Sequence, residues 1–377
     1  MPPQETRKRI AVILEHGWVE TQPFVREPIA HLAAEGFEVD LIARATENWT
    51  PIEGVRYLPR GSLRTPAAQA LAARLLARGA LRRDYDLVIA TPAISLVFGA
   101  VLARLAGAPL VVLHDELWTP RDINLAPRLR DAMYRAHERA ALTVITDLRR
   151  VEVLEEEWPA LRGQRFVELP NAPAGEPAPA HDRERVRAEL GVSPDMTLVL
   201  NAGSLTRRFG LDDLLEALPH FPEQAVLVCQ SAMHTHRLDP AVLALVEARY
   251  PVRFRLEPLP YGQVDELVAA AEIGVALYHG TIPNVRYVGK GSGKLNRYLR
   301  AGKPVIVDRN ANLEFVADYE AGVVISHPSE IRAAIANITE RYETFSANAR
   351  RCFDEQLAFE THWPQVRAAL GEVMVES

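Results

Sequence analysis

Cysteine is nearly missing from this chain. Cys229 and Cys352 are the only two in 377 residues, too few for a disulfide framework, and their separation fits no metal-ligand spacing. Long apolar runs are missing too. No stretch of about 18 consecutive apolar residues occurs, so no membrane-spanning helix is expected. The N-terminal run Ile10–Leu14 is too short for the apolar part of a secretion signal, and a cytoplasmic location is expected. Positive charge is not in excess. With 43 Lys and Arg against 49 Asp and Glu, the formal net charge is −6, which argues against a general nucleic-acid binder. Lysine itself is scarce, standing only at 8, 290, 294 and 303. That scarcity, beside plentiful Arg and Ala, suggests a GC-rich bacterial genome. What remains is ordinary globular composition, 48% hydrophobic and 24% charged. The chain is too long for one typical core, so two domains are expected.

All the lysines but Lys8 fall in Gly289–Val307, GKGSGKLNRYLRAGKPVIV. Three glycines interleave with Lys290, Ser292 and Lys294. A helical pattern over 295–300 follows, with Leu295, Tyr298 and Leu299 on one side. Gly302 and Pro304 stop it, and a buried strand begins. A glycine loop feeding a helix start offers backbone N–H groups and the positive end of a helix dipole, which suits a phosphate or diphosphate. An ordinary helix with solvated lysines is the plain alternative.

Around this stretch, short apolar runs alternate with helical patterns. RIAVIL at 9–14, VDLIA at 39–43, 55–58, 87–90, PLVVL at 109–113 and 142–145 read as strands. Intervening helices fall over 23–34, 66–83, 94–106 and around 127–140. Continuous apolar strands alternating with helices imply a doubly wound parallel sheet. NAPAGEPAPA at 171–180 carries no period and reads as an inter-domain connection. The alternation then restarts, with strands at 197–201, 225–229, 252–256, 273–277, 304–307 and 322–325. The expected organisation is an N-terminal Rossmann-like domain over 1–172, a C-terminal one over 173–350, and a helical segment over 351–377 that returns to the N-terminal domain. In that segment Phe353, Leu357, Phe359, Trp363, Val366 and Leu370 recur at helical spacing.

Two Rossmann-like domains, a Pro-rich linker and SGKLNRYLRAGKPVI together resemble a GT-B glycosyltransferase, closest to glycosyltransferase family 4. NAGSLTRRFG at 201–210 followed by LDDLLEAL is similar to the strand, glycine loop and helix that open the family's donor domain. LPYGQVDELVAAAEIGVAL at 259–277 and Leu113-His114-Asp115 match two further places. The resemblance covers essentially the whole chain. It implies a nucleoside-diphosphate-sugar donor held by the C-terminal domain, an acceptor held mainly by the N-terminal domain, reaction in the cleft between them with retention, no cofactor beyond the donor, and no obligatory metal. The acceptor would be a glycan, a lipid-linked molecule or a natural product. Two departures stand out: Arg297 occupies the place where the family often has a ribose-binding Glu, and the usual basic pair after the glycine loop falls on Ser204 and Phe209.

The chemistry asks for cations at the leaving diphosphate. Arg207, Arg208 and Lys294 are the candidates, with Lys290 beside them; guanidinium forks bind phosphate bidentately. Gly203, Ser204, Ser292, Gly293 and Leu295 belong to the loops that would approach the donor, and Arg297 to its ribose side. Pro258 and Leu259 would border the nucleobase; Asn284, Arg286 and Tyr287 would touch the sugar. His114 ends a buried strand at its carboxyl end, where open α/β sheets place ligands, and by resemblance would contact the donor sugar. Asp115 would orient it or act as a base, and Glu116 is a second carboxylate on the acceptor side. Glu15, His16 and Gly17 follow the first strand; Gly17 would admit the donor or the acceptor, and His16 would meet the acceptor, or act as the base if the reaction inverts. Each of these positions has a plain structural alternative: a turn, a sheet-capping histidine, a solvated loop. Arg60, Arg64, Arg74, Arg78, Arg82 and Arg83 make the N-terminal domain locally basic, which permits peripheral contact with an anionic membrane face, although a solvated helix face is the commoner case. The competing functions are a nucleotide-sugar 2-epimerase of the same architecture and a non-catalytic nucleotide-sugar binder.

Overall fold

The computed structural model describes residues 7–14, 19, 21–44, 50–60, 85–117, 119, 126–179, 182–232, 238–278, 280 and 282–375. Glu15, His16, Gly17 and the arginine-bearing helix expected over 66–83 lie outside the described residues. The chain divides into two compact units, Met1–Asn171 with His362–Ser377, and Ala172–Thr361.

The first unit is built on strands β1 (Arg9–Ile13), β2 (Glu38–Arg44), β3 (Val55–Arg60), β4 (Leu87–Ala90), β5 (Leu110–His114), β6 (Leu142–Ile145) and β7 (Phe166–Glu168). They pair in parallel in the order β3-β2-β1-β4-β5-β6-β7. Every residue of β4, β5 and β6 is buried, which is why these strands read as unbroken apolar runs rather than as alternations. Helices α1 (Pro23–Ala34), α2 (Ile94–Ala106), α3 (Pro127–His137) and α4 (Arg149–Glu157) connect them. α2 stops at Gly107, whose φ of 66° is left-handed, a conformation that costs glycine nothing.

The second unit repeats the plan. Its strands are β8 (Thr197–Gly203), β9 (Ala225–Ser231), β10 (Val252–Arg255), β11 (Ile273–Ala276), β12 (Val305–Asp308) and β13 (Gly322–Ile325). They form a separate sheet in the order β10-β9-β8-β11-β12-β13, all parallel. The helices that bear on function are α5 (Arg183–Glu189), α6 (Leu211–Ala217), α7 (Pro240–Arg249), α8 (Tyr261–Ala270), α9 (Pro283–Arg286) and α10 (Gly293–Arg300), followed by α11 (Glu314–Asp318), α12 (Ile331–Glu340) and α13 (Tyr342–Gln356). One core cluster joins Leu198, Leu200, Leu295, Tyr298 and Leu299; another joins Val199, Leu214, Leu227, Val275 and Ile335. The central strands are thus covered on both faces.

The connection at 171–180 is fixed at several points. In the first unit Asn171 accepts the Phe24 N–H at 2.9 Å. In the second, Ala174 accepts from Arg300 at 2.8 Å and the Gly175 N–H donates to Glu360 at 2.6 Å. The terminal helix α14 (Phe359–Val373) supplies the C-terminal part of the first unit. Trp363 lies 5.7 Å from the His31 ring, and Arg367 pairs with Glu35 and covers the Phe37 ring at 5.0 Å. The return starts at His362 rather than at residue 351, because Cys352, Phe353, Leu357 and Ala358 are buried in the second unit's core.

Candidate functional site

In a doubly wound sheet the ligand crevice opens where the strand order reverses. In the second unit that place lies between β8 and β11. β8 pairs with β9 from Thr197 through Gly203 but with β11 only at Val199 and Leu200. Beyond Leu200 the two strands part, and the Ala202 N–H donates to the Tyr298 hydroxyl at 2.7 Å. A Cβ on Gly274 would lie 2.2 Å from the Tyr298 ring; the glycine lets α10 sit against β11 and deliver that hydroxyl.

Lys294 occupies the gap. Its Nζ donates to Asn201 Oδ1 at 2.8 Å and lies over the Tyr278 ring at 4.8 Å. Its stem passes Gly203, where a Cβ would stand 3.1 Å from Lys294 Cδ. The residue is 8% exposed. Burial pulls its ammonium down to about 8, with Cys229 and Asp308 acting the other way. Among the described residues no carboxylate forms a salt bridge with it. A cation held by a neutral amide and an aromatic face keeps its full charge for an incoming anion.

The neighbouring glycine stretch forms a tight turn rather than an open cradle. Gly289–Gly291 is one turn of 3-10 helix. The Ser292 N–H is taken by the Gly289 carbonyl at 3.2 Å, so it does not face an anion as expected. The Ser292 hydroxyl caps α10 by accepting the Leu295 N–H at 3.3 Å, and it bonds to the Tyr278 hydroxyl. Leu295 is buried in the core. Lys290 is half-buried, and its carbonyl accepts from Asn296.

Arg207 is not brought to Lys294. Arg207 pairs with Asp212 at 3.3 Å and its side chain is 86% exposed, because the short turn Arg207–Phe209 leaves it on the surface beside the start of α6. The Arg208 side chain lies outside the described residues. Ser204 is half-buried in the same loop. Gly210 closes this loop with φ 79°, and a Cβ there would stand 2.4 Å from the Leu277 carbonyl oxygen. Gly210→Ala should destabilise the protein by about 2–3 kcal/mol, through positive-φ strain and the clash. A lowered urea midpoint with unchanged slope is the check; an unchanged midpoint would show that the loop simply moves.

Arg297 turns toward α8. It pairs with Asp265 Oδ1 and covers the Tyr261 ring at 4.4 Å, while Arg300 holds Asp265 Oδ2 at 2.6 Å. The two side chains are 5% and 3% exposed, so the charge of Arg297 is already committed. Pro258 and Leu259 follow Glu257, whose carbonyl accepts from Gln230 Nε2 at 2.7 Å. Asn284 is buried on α9, and Arg286 lies over Tyr287 at 5.9 Å.

In the first unit the carboxyl end of β5 presents His114, 2% exposed. Its ring stacks on His137 at 5.5 Å, and Nδ1 has no hydrogen-bond partner. Burial, then the charges of His137 and Arg150, hold its imidazole well below the usual histidine range, so it is neutral at pH 7. His137 is pulled down to about 4 by burial and bonds Thr143 Oγ1 at 2.8 Å. Burial pushes Asp115 up to about 7, with half-buried Glu116 adding to the shift. Arg150 fixes the Asp115 carbonyl at 2.7 Å, and Asp115 Oδ1 is unpartnered. A neutral imidazole and a carboxyl group near its midpoint suit hydrogen bonding and proton handling at neutral pH.

The structure also brings in residues that the sequence did not single out: Asn201, Gln230, Tyr278 and His137. Only Asn201 left a signal, as an amide closing the apolar run TLVLN. Among the described residues, no three metal-ligating side chains converge and no helix is long and apolar enough to cross a membrane.

Residues 21–172 match a glycosyl transferase 4-like domain, and 287–357 a glucosyltransferase 3-like C-terminal domain. Sucrose-phosphate synthase from Thermosynechococcus elongatus superimposes with a TM-score of 0.75 at 19% identity, over 98% of this chain and 100% of that one. Anabaena HepE in complex with UDP-glucose gives 0.76 at 17% identity, over 97% and 99%. The fold is GT-B. In sequence, this GT-B chain is 31% identical over 178 residues to α-maltose-1-phosphate synthase of Mycolicibacterium smegmatis, a match spanning 46% of the chain and 42% of that relative's length. Both carboxyl-edge clusters belong to the GT-B sheets: Lys294 and Asn201 to the second, His114 and Asp115 to the first.

Proposed function

We propose that this GT-B protein transfers a sugar from a nucleoside-diphosphate donor to a hydroxyl group of a glycan, lipid-linked or small-molecule acceptor, with retention and without a metal. The observation that carries the reading is Lys294, a buried ammonium without a salt-bridged carboxylate at the switch point of the second sheet. The names of the similar proteins support the donor class, HepE having been solved with UDP-glucose. In this reading the bond from the anomeric carbon to the diphosphate oxygen breaks as the acceptor oxygen attacks the same face, and the hydroxyl proton passes to the leaving phosphate oxygen. Lys294 meets the charge that grows on the diphosphate, the kind of preorganised stabilisation that contributes most to such reactions. Neutral His114 bonds the sugar, and Asp115 with Glu116 attends the acceptor side.

The test offers the protein UDP-, GDP-, ADP- and dTDP-hexoses with and without an acceptor mixture that includes sugar phosphates, in the presence of a chelator. Acceptor-dependent release of nucleoside diphosphate, with the acceptor gaining one sugar, is expected. Epimerised donor without acceptor, or tight binding with no turnover of any donor, would overturn the reading.

A further inference from the structure

Asn201 is 1% exposed at the carboxyl end of β8. Its Oδ1 holds the Lys294 ammonium at 2.8 Å, while its Nδ2 is buried with no hydrogen-bond partner. A buried donor with nothing to bond is costly, and such a group at a ligand crevice points to a ligand acceptor. The choice of an amide matters. A carboxylate at this position would neutralise Lys294, whereas an amide orients the ammonium and leaves its charge available.

The other groups facing Lys294 leave that charge largely uncompensated. Cys229 on β9, the register partner of Asn201, has its thiol pushed up to about 12 by burial and is neutral. The Tyr298 hydroxyl on α10 is held above its usual range by burial and accepts from Ala202. Tyr278 offers its ring face, and its hydroxyl is bonded to Ser292. Asp308, at the end of β12, supplies the negative charge on this side, and its Oδ1 accepts the Tyr278 N–H at 2.8 Å.

We propose that Asn201 is a positioning residue that makes Lys294 a proton-linked anion receptor: Oδ1 aims the ammonium, Nδ2 donates to the same diphosphate, and binding draws a proton onto Lys294. The proposal rests on the reading of this unit as a nucleotide-sugar site. The sign follows from burial. The free ammonium is pulled down to about 8, and a bound dianion raises it. Affinity is therefore full only well below pH 8 and falls as pH rises through it. At pH 8.5 about three-quarters of free molecules lack the proton, so binding takes up about 0.75 proton, and Kd rises about eightfold between pH 7.5 and 9.0.

The experiment is titration calorimetry at pH 8.5 in two buffers of different ionisation enthalpy, using the tightest binder among UDP, GDP, ADP and dTDP, with Kd also measured from pH 7.5 to 9.0. Lys294→Arg keeps a cation that does not titrate here, and its uptake should fall to near zero with a flat pH profile. Asn201→Asp should also abolish uptake and weaken binding about tenfold or more, because the new carboxylate keeps Lys294 protonated and neutralised in the free protein. Asn201→Leu should move the pH midpoint down. Uptake below about 0.2 proton in the wild type, with binding that still depends on Lys294, would overturn the linkage and spare the proposed function. A pH midpoint unmoved by both Asn201 variants would return Asn201 to a structural role. No binding of any of the four diphosphates, or binding indifferent to Lys294, would overturn both.

Discussion

Lys294→Ala weakens nucleoside-diphosphate binding about tenfold or more at pH 7.5 and leaves the free nucleoside within about twofold. A charged hydrogen bond contributes about 1.5–3 kcal/mol, and each 1.4 kcal/mol or so is a decade of affinity. The residue is 8% exposed, so solvent screens its charge little and the upper part of that range applies. At pH 7.5 most of the population carries the proton, since the group titrates at about 8. Arg207→Ala, by contrast, should change diphosphate affinity less than about twofold, because that side chain is 86% exposed and already paired with Asp212. Titration of the wild type and both variants with nucleoside and nucleoside diphosphate at one salt concentration checks both statements. Equal losses for the two ligands would point to damage of the α10 start rather than to a phosphate contact. No loss for Lys294→Ala would move the phosphate site elsewhere.

His114→Ala lowers kcat about a hundredfold while nucleoside-diphosphate Kd stays within about twofold, the range seen when one positioned hydrogen-bond group is removed from a reacting centre. The imidazole is neutral at pH 7, held low by burial and by His137 and Arg150. It therefore acts through a hydrogen bond and not as a cation, and kcat should show no step from its protonation between pH 6 and 8. The buried partner His137 stacks on it, so His114→Gln, which keeps a polar side chain, separates lost chemistry from a collapsed ring pair. Unchanged turnover in both variants would make His114 a sheet-capping residue. An equal loss in diphosphate affinity would place it on the phosphates instead.

Much of this protein could be read from local patterns. Strands such as LVIA, LVVL and VIV announce burial on both faces because no polar residue interrupts them. Gly302, with φ 62°, and Pro304 mark the end of α10 because few other residues tolerate those positions. The clustering of lysine in a chain otherwise served by arginine singles out the stretch that holds Lys294. Tertiary packing changed the details. Arg207 stands in the short turn after β8 and Lys294 in the first turn of α10, and sequence spacing treats them alike. Packing buries one against Asn201 and Tyr278 and leaves the other in water beside Asp212.

Sequence alone determined the doubly wound class, since apolar periodicity, glycine and proline act within a few residues of themselves. Only the tertiary structure decided which side chains meet. Asn201 and Lys294 are 93 residues apart in the chain, and their contact exists because β8 and β11 part after Leu200 while α10 crosses the opening. His114 meets His137 through the packing of α3 on the sheet. Arg297 is drawn to Asp265 on α8 rather than to the crevice. Such contacts depend on burial and on the direction of each side chain, which are properties of the packed core and have no counterpart in the order of the residues.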